Sequence, residues 1–247
     1  MSPAAGRLLP VGAALLLSWW LALLGRELRG AFRARSHWSE PPGDIDGLVY
    51  VALGDSLAQG VGARRPARGY VGLIAAELAA RTGKSVTIIN LSRSGARIRD
   101  VLAKQLPALK ALAVAPDLVT VDIGANDIPL YDAPRFAQEA DELTKALPAG
   151  TVVFDVPYFM HGHWEKNALE ASDVLTTSAH RRGLSVVPVH EALRKEGWRA
   201  MLTEFAPDWF HPNDRGYRIW ARAFWTRPPR TVEESLGRLR STTAPRP

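Results

Sequence analysis

The 247-residue chain contains no cysteine. That excludes a disulfide framework, a cysteine-ligated zinc site, a thiol nucleophile and an iron–sulfur cluster. It leaves the compartment open. Concentrated positive charge is also missing. The formal net charge is +6, from 31 Lys and Arg against 25 Asp and Glu. Residues 1–47 carry net +1, residues 48–225 net +2 and residues 226–247 net +3. Basic pairs such as Arg64-Arg65 and Arg181-Arg182 are short and scattered. A nucleic-acid surface needs a basic stripe, so no nucleic-acid partner is expected. No internal repeat and no P-loop pattern is present. With 47% hydrophobic and 23% charged residues, the chain is globular in composition rather than disordered. Its length suits one large domain or two small ones.

One long uncharged run is present. Leu8 to Leu24 spans 17 residues without a charge, at the short end of the ~17–25 residues that cross a bilayer. Arg7 precedes it, and Arg26, Arg29, Arg33 and Arg35 follow. No small-x-small cleavage site follows Leu24, so an uncleaved anchor is favoured over a cleaved signal. A buried core helix is a third reading. The larger basic count after the run places the next domain in the cytoplasm by the positive-inside rule. Assigning Arg29 to Arg35 to an interfacial helix instead leaves that domain outside, and an extracytoplasmic location is the expectation taken. Residues 1–35 are thus read as a hydrophobic membrane segment with a basic flank. Residues 36–47, with Pro41-Pro42-Gly43, read as a linker, and residues 226–247 as a basic Pro/Arg tail.

Residues 48–225 alternate between two periods. Leu48–Leu53, Val86–Ile89, Leu118–Ile123, Val152–Val156 and Leu184–Val189 read as strands. Tyr70–Ala80, Ile98–Leu112, Pro134–Leu147, Glu165–Arg182 and Asp214–Trp225 read as helices, with Pro107 a break or second start and Asp214 a cap. Five strands alternating with helices predict a parallel sheet covered on both faces. Ligands in such sheets bind beyond the carboxyl ends of the strands.

Four chemistry-bearing segments fall there. Gly54-Asp55-Ser56-Leu57 follows the first strand, Asn90-Leu91-Ser92-Arg93-Ser94-Gly95 the second, Gly124-Ala125-Asn126-Asp127 the third, and Asp208-Trp209-Phe210-His211-Pro212 the fifth, in the last loop. The first is not a G-x-S-x-G elbow, because Ala58 stands where the second glycine belongs. The set matches acyl transfer. Ser56 supplies a hydroxyl, His211 a base near neutral pH, and Asp208 an acceptor to orient that base. The backbone N–H groups of Ser56 and Gly95 and the side-chain amide of Asn126 are candidate oxyanion donors.

These four blocks, in this order and strand context, resemble those of the SGNH hydrolases, also called GDSL lipases and esterases. The resemblance runs from about Leu48 to Trp225. It implies a flavodoxin-like three-layer α/β/α domain, hydrolysis of esters or thioesters, and no metal or other cofactor. It covers neither residues 1–47 nor residues 226–247. Arg93 and Arg97 lie in or beside the glycine block and suit either an anionic acyl substrate or plain surface exposure.

Other residues read less sharply. His161 and His163 have His-x-His spacing but no evident third ligand, so a metal is not expected. Pro157–Trp164 is a candidate pocket wall. Trp209 and Phe210 either line an acyl pocket or pack their loop. Asp55 and Asp127 read as supporting hydrogen-bond partners, and His180 and His190 as structural. Asp122 sits in an apolar strand with no partner evident. The expected function is serine-dependent hydrolysis of a small-molecule or lipid ester. Acyl transfer to a hydroxyl and a non-catalytic membrane-associated binding module are the alternatives. Oligomeric state is not readable.

Overall fold

The computed structural model describes residues 47–160 and 162–226, with residues 18, 22, 25, 29, 30, 32–38 and 45 ahead of them. The expected anchor over Leu8–Leu24 (except residues 18 and 22) and the basic tail (except residue 226) lie outside the described residues. Among these, no helix is long and apolar enough to cross a membrane. Residues 36–38, expected in a linker, are helical instead. Ala34 is buried and the Trp38 indole donates to the Gln59 carbonyl at 3.0 Å, so this stretch packs on the domain.

Five parallel strands form one sheet. They are β1 (Leu48–Gly54), β2 (Val86–Asn90), β3 (Leu118–Asp122), β4 (Val152–Phe154) and β5 (Ser185–Val187), ordered β2-β1-β3-β4-β5. This is the order of flavodoxin-like doubly wound sheets. The helices are α1 (Tyr70–Thr82), α2, α3 (Ala133–Ala146), α4 (Gly162–Arg181), α5 (Val189–Glu196), α6 (Arg199–Thr203) and α7 (Gly216–Thr226). α2 runs continuously through Ile98–Asp100, a π-helical turn at Val101–Gln105 and Leu106–Lys110. Pro107 therefore neither breaks nor restarts it, since it falls where the regular hydrogen bonds are already interrupted.

Every residue of β1 is buried, as expected for a strand covered on both faces. Its side chains alternate between two cores. Tyr50 and Ala52 face Tyr70, Ile74, Trp220 and Phe224 of α1 and α7. Val49, Val51 and Leu53 face Ile98, Phe136, Leu143 and Leu175 of α2, α3 and α4. The period of two along a strand thus makes three layers. α3 packs against α4, which buries the small side chains of Ala168, Ala171 and Ala179 in the same core.

Several boundaries differ from expectation. The strand read as Val152–Val156 ends at Phe154, and that read as Leu184–Val189 ends at Val187. Val189 instead opens α5, which buries Val189, His190 and Leu193. Asp214 does not cap α7. Asn213 does, its Oδ1 accepting the backbone N–H of Arg215 at 2.8 Å and of Gly216 at 3.2 Å. Asp214 is turned to Arg64 and Arg68.

Chain direction reverses around β1. α1 carries the chain outward to β2 on one face, and α2 brings it back past β1 to β3 on the other. The crevice at the carboxyl ends of β1 and β3 is the switch point where such sheets bind ligands. Gly54 and Asp122 end those strands and face one another in register.

Candidate active site

Gly54 turns the chain out of β1 with φ +141°, and a Cβ there would lie 2.2 Å from the Asp122 carbonyl oxygen. Only glycine fits, and the tight exit presents Ser56 above the sheet edge. The Gln105 amide grips this turn at both ends. Its Oε1 accepts the Gly54 N–H at 2.8 Å, and its Nε2 donates to the Gly54 carbonyl at 2.8 Å. Sequence reading missed Gln105. The signal was its place among Ile98, Val101 and Leu109 on the apolar stripe of α2. Gln105→Ala leaves a buried N–H unpaired, and we expect a loss of about 1–3 kcal/mol in a urea titration.

Two more amides, also unforeseen, join the first turn to the second. Gln59 Nε2 donates to the Ser92 carbonyl at 3.0 Å, and its Oε1 accepts from the Ser94 N–H at 3.1 Å and hydroxyl at 2.6 Å. Asn90 Nδ2 donates to the Ala58 carbonyl at 2.8 Å, and its Oδ1 accepts from Ser92. Gly95, at φ +76°, ends this second turn. Among the described residues no backbone acceptor takes the N–H of Ser56 or of Gly95.

The last loop brings the imidazole from 155 residues away. Residues 204–213 fold back on themselves through the Phe205 and Pro212 bridge and the Ala206 N–H to His211 carbonyl bond of 2.7 Å. Asn213 Nδ2 closes the loop on the Thr203 and Phe205 carbonyls. Asp214 ties it to the segment after Ser56 by accepting the Arg64 N–H at 2.8 Å. His211 Nε2 then lies 2.9 Å from Ser56 Oγ, and His211 Nδ1 lies 2.9 Å from Asp208 Oδ2. Asp208 Oδ1 also accepts the N–H groups of Phe210 and His211. Burial works to raise the Asp208 carboxyl, but these bonds from His211 and the backbone outweigh it and hold it below the ordinary range. Ser56 is 5% exposed and His211 3%, so the hydroxyl–imidazole contact is shielded from bulk water. A carboxylate that fixes the imidazole with Nδ1–H facing it leaves Nε2 free to accept the hydroxyl proton.

The other predicted residues fall as follows. Asn126 sits beside Ser56, but its Nδ2 donates to Asp55 Oδ2 and to the Ala96 carbonyl, each at 3.0 Å. Both of its N–H bonds are thus engaged in this resting arrangement. Asp55 Oδ1 shapes the Ser56 turn by accepting the Leu57 N–H, and Asp127 accepts the Ile98 N–H at the start of α2. Asp122 is buried with the Trp220 indole N–H and the Tyr70 hydroxyl facing it as donors, and burial holds its carboxyl well above the ordinary range. Arg93 is exposed. His161 lies outside the described residues, and His163 is exposed beside Trp164. His190 lies near the start of α5.

An apolar cavity of about 70 Å³ adjoins this array. Leu57, Ala125, Trp209 and Phe210, chain neighbours of Ser56, Asn126, Asp208 and His211, line it together with Tyr158 and Met160. Trp209 at φ +59° and Met160 at φ +60° are left-handed without being glycine, and both line it. Such backbone is costly and gathers at ligand sites.

The buried carboxyl groups predict an acidic stability optimum. Burial pushes Asp55 up to about 7, and Asp127 and Asp155 up to about 6. Each prefers its proton in the folded state. Their contribution is full below the ordinary Asp value near ~4 and is lost as pH rises through about 6 to 7. Asp208 and Asp214, held low, act in the opposite sense, and their contribution is lost as pH falls below ~4. The melting temperature should therefore peak near pH ~4–6 and decline toward pH 8. A steady rise from pH 5 to 8 would contradict this.

The fold and site together define an α/β protein with a serine–histidine–aspartate array at the switch point of a parallel sheet. The sequence profile of the GDSL-like lipase/acylhydrolase family matches residues 52–219. The chain belongs to that family. It is similar to a lipase of Streptomyces rimosus, with 39% identity over 131 residues, 49% of this chain and 42% of that protein. The aligned stretch thus spans less than half of that relative. Among solved structures, it is similar to an alpha/beta hydrolase enzyme from a Lake Arreo metagenome (24% identity, TM-score 0.62, covering 76% of this chain and 95% of that one). A lipase/acylhydrolase from Enterococcus faecalis is similar at 21% identity and TM-score 0.61, covering 77% and 96%. At these identities the structural likeness speaks for the fold.

Proposed function

We propose that this chain is a serine esterase or lipase that hydrolyses carboxylic esters or thioesters through an acyl-enzyme. The observation that carries the reading is the unbroken series Ser56 Oγ, His211, Asp208, with both contacts at 2.9 Å. Ser56 Oγ attacks the ester carbonyl carbon while His211 Nε2 takes the hydroxyl proton. Asp208 stabilises the resulting imidazolium. The carbonyl oxygen, now an oxyanion, accepts hydrogen bonds from the Ser56 and Gly95 N–H groups and from Asn126. For the third bond, Asn126 exchanges its contact with the Ala96 carbonyl for one with the oxyanion. The tetrahedral centre collapses, the C–O bond to the alcohol breaks, and His211 gives its proton to the leaving oxygen. Water then attacks the acyl-enzyme with His211 again as base, releasing the acid and restoring Ser56. The apolar cavity beside Ser56 takes the acyl chain.

A fluorophosphonate ester tests the nucleophile directly. It should inactivate the protein one-to-one and leave its phosphonyl mass on the peptide that carries Ser56. Full inactivation with Ser56 unmodified would overturn the assignment.

The uncharged run from Leu8 to Leu24 supports a membrane-held protein, and with Arg29 to Arg35 assigned to an interfacial helix its domain lies outside the cytoplasm. Fractionation of membranes, followed by protease treatment of intact cells, tests attachment and side.

A further inference from the structure

Part of the cavity's lining is a short loop between β4 and α4, carrying Tyr158, Phe159 and Met160. It contains no regular structure of its own. What holds it is a clamp outside the serine–histidine–aspartate array. His190 is buried, with 5% of its surface exposed. Its backbone N–H donates to Asp155 Oδ1 at 2.8 Å, and its ring Nδ1 lies 3.0 Å from the Val156 carbonyl oxygen. A carbonyl only accepts, so Nδ1 carries hydrogen. On the other side of the ring, Nε2 lies 3.0 Å from Glu165 Oε1. The second oxygen of that carboxylate accepts the Phe159 N–H at 2.8 Å. Glu165 thus lies between the His190 ring and the backbone of the cavity wall and reaches both. The Tyr158 ring packs edge-on against His190 at 5.6 Å. Phe159 in turn meets Phe210 of the His211 loop, with ring centroids 6.3 Å apart.

We propose that His190 and Glu165 are specificity-determining positioning residues. Their contact holds loop 157–160 against the His211 loop and so fixes the length of acyl chain that the cavity accepts. The inference rests on the reading of this cavity as the acyl site. Neither residue touches the reacting atoms. The clamp supplies geometry that the loop lacks, and in a tight apolar pocket each methylene admitted or refused is worth roughly tenfold or more in discrimination.

The test uses the full chain with p-nitrophenyl acetate, butyrate and octanoate, read as the ratio of kcat/KM between the longest and shortest esters. A ratio cancels whatever a variant does to the chemistry common to all three. Glu165→Ala, which frees the Phe159 N–H and the ring Nε2, should change the ratio by about tenfold, mainly through KM. Glu165→Gln should keep it within about threefold of the parent. Its amide nitrogen can donate to a neutral Nε2 while its oxygen still accepts from Phe159.

Equal losses on every ester in Glu165→Ala, or a ratio in Glu165→Gln changed as much as in Glu165→Ala, would overturn the proposal. Fluorescence titration with butyrate and octanoate, read from Trp209 and Trp220 in the cavity wall, gives the same ratio without turnover. If no ester is hydrolysed, the hydrolytic reading fails while the binding ratio still decides this one.

Discussion

Ser56→Ala should lower ester turnover by roughly 10⁴-fold or more while leaving the fold intact. The substitution removes one atom, Oγ, whose contact is the imidazole of His211 at 2.9 Å. No core packing depends on it. The rate that survives belongs to the oxyanion donors and to substrate binding, which together retain some catalysis over water. p-Nitrophenyl esters from acetyl to palmitoyl, assayed beside the unaltered chain, give the measurement. Activity retained within tenfold would mean that the hydroxyl is not the nucleophile, and the hydrogen-bonded series would then be structural. The same series of esters locates the chain-length optimum from which the effect of the Glu165 variants is read.

Gly54→Ala should be the most damaging single methyl group in the site. The added Cβ would sit 2.2 Å from the Asp122 carbonyl oxygen and 3.2 Å from the Ala58 Cβ. A backbone oxygen in the ladder cannot swing aside as a side chain can. The positive φ adds strain wherever the methyl goes. Relief requires either parting β1 from β3 or re-aiming the turn, and Ser56 lies two residues on. We expect a loss of about 3–5 kcal/mol in urea denaturation, together with loss of turnover even where the variant folds. A loss under about 1 kcal/mol would show that the strand ends relax without moving Ser56.

These two positions were legible in the sequence because each carries a local signal. A glycine and serine directly after an apolar strand need no knowledge of the rest of the chain. The same holds for Asp208 and His211, three residues apart in one loop. The five strands were legible for a related reason. Burial on both faces makes a central strand such as β1 apolar along its whole length. Where signals competed, the reading slipped. Val186, Val187 and Val189 look like one strand, yet Pro188 separates the end of β5 from the start of α5. Asn213 and Asp214 are equally good cap residues, and only the presence of Arg64 and Arg68 across the loop draws Asp214 away.

The amides that hold the site were harder to see. Gln59, Asn90 and Gln105 are ordinary polar residues in the chain. They become significant only when a turn 51 residues away offers Gln105 both a donor and an acceptor, as Gly54 does. Asn126 shows the converse. Its block identified it as an oxyanion donor, but its neighbours Asp55 and Ala96 decide where its N–H groups point at rest.

What the sequence determined alone is the local order of this protein. Strand after helix, each reactive residue sits at the end of a strand or in the last loop, because hydrophobic period and turn chemistry act over a few residues. The tertiary structure decided what those residues do to one another. The 2.9 Å contact between Ser56 and His211, the rise of Asp55 to about 7 and the clamp of His190 on the cavity wall all join distant parts of the chain. Hydrogen bonds fall off within tenths of an ångström, and desolvation depends on everything packed around a group. Both are set by the packing of layers, which no short stretch of sequence contains.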